Sequence, residues 1–332
     1  MIVINKAILH IFDTTNRQAG LSDKTLTLNS ELNSFLEEHI NKCFRKSSSK
    51  PGIFSETSYV YRNLQNYIAD NNFVEFSKTI AGIWFDVICQ ADDLLPSDCF
   101  VCDFLKEDVR YLIFMRIGNQ RAYIHQITME EGIVSNEIRS QSAVPTGTAE
   151  EYAILSIDDG TVLLSQKKYN IDGNSIFALS EAVLECELKP SQQETVNAIK
   201  RSAIKVAEDF GANTVQTTAS VKKAIAHELE EEKETLNPIQ LGNKIFCEKP
   251  AMQEAFQQKM KDSGFTQDER VPVNRESLLK KVINHKLKTD TGIELTIPAE
   301  YFDNTEFIEF NHAEDGLLYI TLKHISSIVN RG

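Results

Sequence analysis

Two apolar runs joined by a short polar turn decide the fold of the first half of the chain. They are Cys99–Leu105 (CFVCDFL) and Val109–Ile117 (VRYLIFMRI). A parallel crossover needs a dozen or more residues, so strands this close in sequence must run antiparallel. Within the second run, residues 111–115 (YLIFM) are apolar without alternation, which predicts a strand covered on both faces, with the early helices on one side.

The strand pattern continues to about Gln166 in four further segments, RAYIHQITM, IVSNEIRS, AILSID and TVLLSQ. Asp159-Gly160, between the last two, is a strong signal for a two-residue hairpin. Short turns throughout the region predict an antiparallel β-meander.

Earlier in the chain, alternation predicts strands at residues 2–12 and 24–28, and apolar spacing predicts helices at about 31–46 and 72–91. Residues 47–58 (SSSKPGIFSETS), broken by Pro51-Gly52, predict a loop. Residues 167–189 show no clear pattern. The sequence therefore predicts an α+β domain over residues 1–189, in which helices flank the antiparallel sheet.

A helical unit is predicted from residue 190 onward. Ser191 and Glu194 have capping-box spacing, and the helix that they begin should end at Gly211. Further helices are predicted at about 217–234, 238–246, 251–263 and, capped by Asn274, 275–284. The remaining residues predict a small antiparallel sheet with turns at Thr291-Gly292 and Asp315-Gly316. Residues 190–332 therefore form the second predicted domain.

The charge of the chain excludes one class of nucleic-acid-binding protein. The formal net charge is -13 and the pI is about 5.1. Proteins that coat nucleic acid over their whole surface are basic, since neutralising phosphates supplies most of the non-specific affinity. Contact with nucleic acid must therefore be confined to a patch, or pass through another protein.

One segment, Glu269–Lys288, is basic within this acidic chain. It holds six cations, Arg270, Arg275, Lys280, Lys281, Lys286 and Lys288. Two basic pairs, Lys200-Arg201 and Lys222-Lys223, precede it. The second pair is predicted near a helix N-terminus, where the macrodipole disfavours cations, so helix stability does not explain it. Composition alone leaves two interpretations, a solvated face or a surface for an anionic partner.

Catalytic and metal-binding motifs do not emerge. Cys99 and Cys102 have CxxC spacing, but residues three apart in a strand point to opposite faces. His227 and Glu231 begin like a zincin helix motif without its second histidine. Common nucleotide-binding and hydrolase motifs are absent from the sequence. We therefore expect no enzyme, no metal and no cofactor.

The sequence also predicts the compartment. No apolar run approaches the roughly 18 residues that span a bilayer. The start, MIVINKAILHIFD, predicts a strand rather than a signal peptide. Without a signal, the six cysteines should remain thiols, as in a reducing cytoplasm.

Four segments carry a resemblance to a known family. They are Asn5–His10 (NKAILH), residues 50–58 (KPGIFSETS), Phe265–Leu279 (FTQDERVPVNRESLL) and Gly292–Ile297 (GIELTI). Together with the 37.5 kDa mass, they resemble the bacterial 37-kilodalton nucleoid-associated protein family. The resemblance implies a cytoplasmic protein found on the nucleoid that binds DNA and has no known cofactor.

The resemblance supplies no DNA-binding residues, so the predicted site rests on charge. It comprises the six cations of 269–288 first and the two earlier pairs second, with phosphate contact rather than base readout.

Three questions stay open at this point. An acidic adaptor recruited by a DNA-processing protein is the alternative function, with residues 50–58 as a candidate contact. An enzyme whose site is assembled from residues distant in sequence is a third interpretation. Whether the chain forms homo-oligomers is not indicated.

Overall fold

The computed structural model describes residues 2–91, 94–230, 234–282, 284–302, 304–312 and 318–327. The chain divides into two compact units, residues 1–189 (unit 1) and 190–332 (unit 2). The predicted α+β class is confirmed: unit 1 contains an antiparallel sheet with flanking helices, and small antiparallel sheets lie near the C-terminus. Within the described residues, every helix is too short or too polar to cross a bilayer.

Unit 1 is built on an eight-stranded antiparallel sheet of order β12-β3-β9-β8-β5-β4-β1-β2, beside two separate hairpins, β6–β7 and β10–β11. Its strands are β1 (Ile2–Asp13), β2 (Gln18–Gly20), β3 (Lys50–Phe54), β4 (Ser97–Lys106), β5 (Val109–Gly118), β6 (Gln120–Glu130), β7 (Ile133–Ala143), β8 (Glu151–Ser156), β9 (Thr161–Ser165), β10 (Tyr169–Ile171), β11 (Asn174–Ile176) and β12 (Cys186–Leu188).

Helices cover both faces of this sheet. They are α1 (Ser30–Arg45), α2 (Tyr59–Asp70) and α3 (Phe73–Ile88), with a π-helical turn at Ala178–Val183. α1 packs on one face, in a cluster that includes Leu36 and Ile113. α2 and α3 pack on the other, where Trp84 joins Phe114. The double coverage of β5 is as predicted, but the early helices lie on both sides rather than one.

Three expectations for unit 1 are corrected. Residues 24–28 form no strand, although Leu26 N–H donates to Ala7 O at 2.8 Å. The predicted loop at 50–54 is strand β3, which pairs with β9 and β12 from far along the chain. Helix α2 was missed, although Ser58 caps it and Val60, Leu64 and Tyr67 form its buried stripe. In addition, β5 pairs directly with β8, so β6 and β7 leave the meander.

Unit 2 surrounds a second hydrophobic core. Its helices are α4 (Gln192–Asp209), α5 (Thr214–Glu230), α6 (Leu241–Ile245), α7 (Pro250–Asp262), α8 (Arg275–Val282) and α9 (Ala299–Phe302). Its strands are β13 (Thr235–Leu236), β14 (Val271–Pro272), β15 (Asn284–Lys288), β16 (Glu294–Pro298), β17 (Ile308–His312) and β18 (Leu318–Leu322).

Local capping signals place the helices of unit 2. The predicted capping box is present at Ser191 and Glu194, and Ser277 N–H donates to Asn274 Oδ1 at 2.8 Å. α5 begins at Thr214, earlier than predicted, because Asn213 accepts hydrogen bonds from Val215 and Gln216 N–H.

The end of unit 2 differs in detail from the prediction. The terminal strands form two separate two-stranded sheets, β15–β16 and β17–β18, rather than one. Gly292 turns the first of them with a φ of 89°. The predicted turn at Asp315-Gly316 and the predicted helical residues 231–233 lie outside the described residues.

Candidate nucleic-acid interface

Three helices of unit 2 enclose a surface groove of about 270 Å³. Each helix turns residues three or four apart toward it, as expected for one face of a helix. The lining residues are Gln192, Gln193, Val196, Asn197 and Lys200 from α4, Thr218, Val221, Lys222 and Ile225 from α5, and Leu278, Lys281 and Val282 from α8.

The lining of the groove combines apolar residues with cations. Val221, Ile225, Leu278 and Val282 are buried members of the unit 2 core. The charged lining residues are three lysines, Lys200, Lys222 and Lys281, and none of the described lining residues is acidic. One lysine from each of the three predicted basic clusters therefore reaches the same groove.

Lys222 is the most constrained of these lysines. Its side chain is half-buried, and its Nζ donates to Asn284 O at 2.6 Å. Burial, followed by the positive charge of Lys200, lowers the pKa of Lys222 below its usual value. Because the charge of Lys200 acts on it, the two amines lie close enough to repel each other.

The structure corrects the predicted position of Lys222-Lys223 near a helix N-terminus. α5 begins at Thr214, so the pair lies in the middle of the helix and not at its N-terminus. The macrodipole therefore does not act on them as expected, since its effect is confined to the first turn. Lys222 instead faces the groove, and Lys223 is exposed.

Two lysines of the 269–288 segment are held in exposed ion pairs. Lys280 lies 2.6 Å from Glu276, one turn back on α8. Lys288 lies 3.1 Å from Glu294, its cross-strand neighbour. Exposed pairs of this kind contribute little stability and separate readily, but they reduce the local excess of positive charge.

The other predicted cations lie apart from the groove lining. Arg275 Nε donates to Leu229 O at 2.8 Å, which satisfies a carbonyl near the end of α5. Arg201 Nε donates to Asn197 O at 3.3 Å within its own helix. Arg270 and Lys286 are exposed. The structure therefore gathers Lys200, Lys222 and Lys281 at one groove and distributes the rest around it.

Lys205 lies five residues after Lys200, on the other side of α4, and differs from it in having carboxylates beside it. Its Nζ lies 3.4 Å from both Glu208 and Asp209. Asp209 also pairs with Lys259 at 3.1 Å. This lysine is thus neutralised by carboxylates, whereas none of the described residues lining the groove is a carboxylate.

The weak metal motifs have structural explanations. Cys99 packs in the core on one face of the sheet and Cys102 in the core on the other. Burial raises the pKa of both thiols, which disfavours the thiolate that a metal requires. His227 Nδ1 lies 3.2 Å from Lys244 Nζ, and Glu231 lies outside the described residues. Among the described side chains, no three candidate ligands come together.

Charge counting missed the uncharged part of the groove. Gln193, Val196 and Asn197 precede Lys200 at helical spacing, and Thr218 and Val221 precede Lys222 in the same way. That spacing was visible in the sequence. The packing of α4, α5 and α8 around one groove was not, since α8 lies far along the chain from the other two.

Comparison with known proteins identifies the family. A search of the curated proteins found no match to the chain. Residues 8–327 match the family model NA37, described as nucleoid-associated protein YejK. Since the match covers nearly the whole chain, both units included, the protein belongs to the nucleoid-associated protein YejK family.

Proposed function

We propose that this protein binds DNA on the nucleoid through phosphate contacts at the groove between α4, α5 and α8. The proposed binding has no strong sequence preference and involves no catalysis and no cofactor. The observation that carries the proposal is the meeting of Lys200, Lys222 and Lys281 at one groove whose described lining holds no carboxylate.

The positive charge of the groove between α4, α5 and α8 favours an anion as its ligand. Burial, and after it the positive charge of Lys200, lowers the pKa of Lys222, and a phosphate bound beside this amine would favour its charged form. The groove is too small to admit a duplex, so we expect lysines at its rim to reach the phosphate backbone. Such contacts position a protein on DNA and carry no sequence information directly.

The distribution of charge supports a confined contact. Unit 1 has 26 acidic residues against 17 Lys and Arg, whereas unit 2 has 22 against 18. The acidic excess is therefore concentrated in unit 1, which would repel a polyanion. We infer a cytoplasmic protein that meets DNA through unit 2.

A charge-reversal pair tests this proposal. We expect Lys200→Glu with Lys281→Glu to weaken binding to a fluorescent duplex on the order of 50-fold at about 0.1 M salt, because two phosphate contacts are lost. Fluorescence anisotropy of the full chain measures the affinity.

The matched control for the reversal pair is Lys205→Glu. It makes the same change on α4 at a lysine that is already paired with Glu208 and Asp209. We expect a much smaller effect. Equal losses in both variants would mean that general charge, and not the groove, governs binding.

The acidic adaptor is a second candidate, favoured by the net charge of -13. Its proposed contact, residues 50–58, is mostly strand β3, in which Phe54 is buried and Ile53 is 52% exposed. The adaptor function would be favoured if the purified chain did not bind DNA but co-purified with a DNA-bound enzyme after nuclease treatment.

A further inference from the structure

The hairpin β6–β7 is a solitary element of unit 1. Its two strands pair with each other over eleven residue pairs, from Gln120↔Ala143 to Glu130↔Ile133. In the described part of the chain they pair with no other strand. An isolated two-stranded hairpin is marginally stable in water and needs a further surface to pack against.

The two faces of this hairpin differ in polarity. Side chains of directly paired residues share a face, and alternate residues along a strand share it too. One face, which we call the apolar face, carries Arg121, His125, Asn136, Ser140 and Ser142 together with five large, mostly apolar side chains: Tyr123, Ile127, Met129, Val134 and Ile138. These five side chains are between 55% and 77% exposed. This exposure is unusual for such residues in one contiguous patch.

The opposite face carries mostly polar side chains. It includes the pairs Gln126↔Glu137 and Thr128↔Ser135. Glu137 also accepts from Arg139 at 3.1 Å, in an ion pair with both side chains about half exposed. Ile124 and Ile133 also lie on this face, 45% and 72% exposed, so it has two large apolar side chains against the five of the apolar face, and the hairpin is amphipathic.

We propose that the apolar face of β6–β7 packs against the same face of a second copy of this chain, forming a two-fold dimer. The area is sufficient: five side chains of this size offer on the order of 600 Å² per copy, and two copies would bury about 1,200 Å², the lower limit of a stable interface.

Charge and shape favour a second copy over an unrelated partner. Arg121 lies at the base of the hairpin and Glu131 at its tip, and both are exposed. Antiparallel, face-to-face packing brings Arg121 of each copy to Glu131 of the other, and Tyr123 to Met129. The contacts become self-complementary, as a two-fold interface requires, with a favourable sulfur–aromatic pair within it.

Sedimentation velocity of the full chain tests the dimer. We expect wild type at micromolar concentration to have twice the 37.5 kDa chain mass. Ile127→Glu with Ile138→Glu should raise the dimer dissociation constant on the order of 100-fold, because two carboxylates would be buried without partners. The matched control, Thr128→Glu with Ser135→Glu on the polar face, should stay dimeric.

A charge exchange tests the antiparallel arrangement. Arg121→Glu alone should weaken the dimer, and adding Glu131→Arg should restore it, which a merely misfolded variant would not do. A monomeric wild type, a trimer or larger assembly, or a dimer unaffected by the apolar-face variant would overturn the proposal.

Discussion

Acidification should destabilise unit 1 through the buried imidazole of His10. This side chain on β1 is fully buried. Its Nδ1 accepts from Ser22 N–H at 3.0 Å, so the ring proton lies on Nε2, which is 3.2 Å from Ser77 Oγ. Adding a proton to Nδ1 would break the bond to Ser22 and place a charge in the core.

The size of this effect follows from the pKa. Burial, followed by the charge of Lys78, lowers the pKa of His10 from 6.5 to about 4. Between these values the unfolded chain binds a proton that the folded chain does not, so stability falls as pH falls from about 6.5 towards 4. From pH 7.5 to pH 4.5 the loss attributable to His10 is about 2.5 kcal/mol.

Trp84 provides the assay. It is the single tryptophan of the chain, and it is buried in the core cluster that also contains Ile8 and Phe12 of β1. Urea unfolding followed by its fluorescence therefore reports on the unit that contains His10. Measurements at several values of pH between 7.5 and 4.5 give the free energy of unfolding at each.

His10→Gln is the reference variant, because it removes the titrating group from the same position. Buried carboxylates such as Asp103 also lose stabilisation in acid, and subtracting the two pH profiles removes that shared part. The difference should show the loss of about 2.5 kcal/mol. Parallel profiles for wild type and variant would refute the reasoning.

Two further changes test the packing of unit 1 by the same fluorescence. Arg116→Leu should cost about 3–5 kcal/mol, because it leaves Glu151 buried without the guanidinium that now lies 3.0 Å away. Replacing both Arg116 and Glu151 by leucine should lower the free energy of unfolding by less than the sum of the two single changes. Strict additivity of the three values would contradict the coupling between the two residues. Gly52→Ala should cost about 1–3 kcal/mol, because its new Cβ would lie 2.8 Å from Leu188 Cδ2 where β12 pairs with β3. An unchanged unfolding midpoint would show that β12 adjusts freely.

Local signals in the sequence predicted the parts of the fold that local chemistry decides. The capping box at Ser191 and the cap at Asn274 defined the starts of α4 and α8, because a cap involves residues only three apart. Alternating and continuous apolar runs likewise identified β4, β5, β8 and β9.

The predictions that were wrong concern elements whose structure depends on contacts between residues far apart in sequence. Pro51-Gly52 indicated a loop, yet β9 and β12 convert it into an interior strand, and Gly52 leaves the space that Leu188 occupies. The departure of β6 and β7 from the sheet was equally invisible, because β5 could pair with either β6 or β8 on local grounds.

The candidate site was predicted in composition but not in geometry. Charge counting selected Lys200, Lys222 and Lys281 along with seven other cations. Only the packing of α4, α5 and α8 shows that these three lysines line one groove, whereas Lys280 and Lys288 lie outside its lining. Like charges that meet across helices leave no trace in the sequence pattern of any single helix.

The salt dependence of DNA binding tests the central claim most directly. If three lysines each neutralise one phosphate, log affinity should fall with log salt concentration with a slope of about -2.7. Lys200→Ala with Lys281→Ala should reduce the slope to about -0.9, because one of the three contacts remains. Lys205→Ala should leave the slope unchanged. A double variant that keeps the wild-type slope, or a wild-type chain that does not bind DNA, would contradict the account.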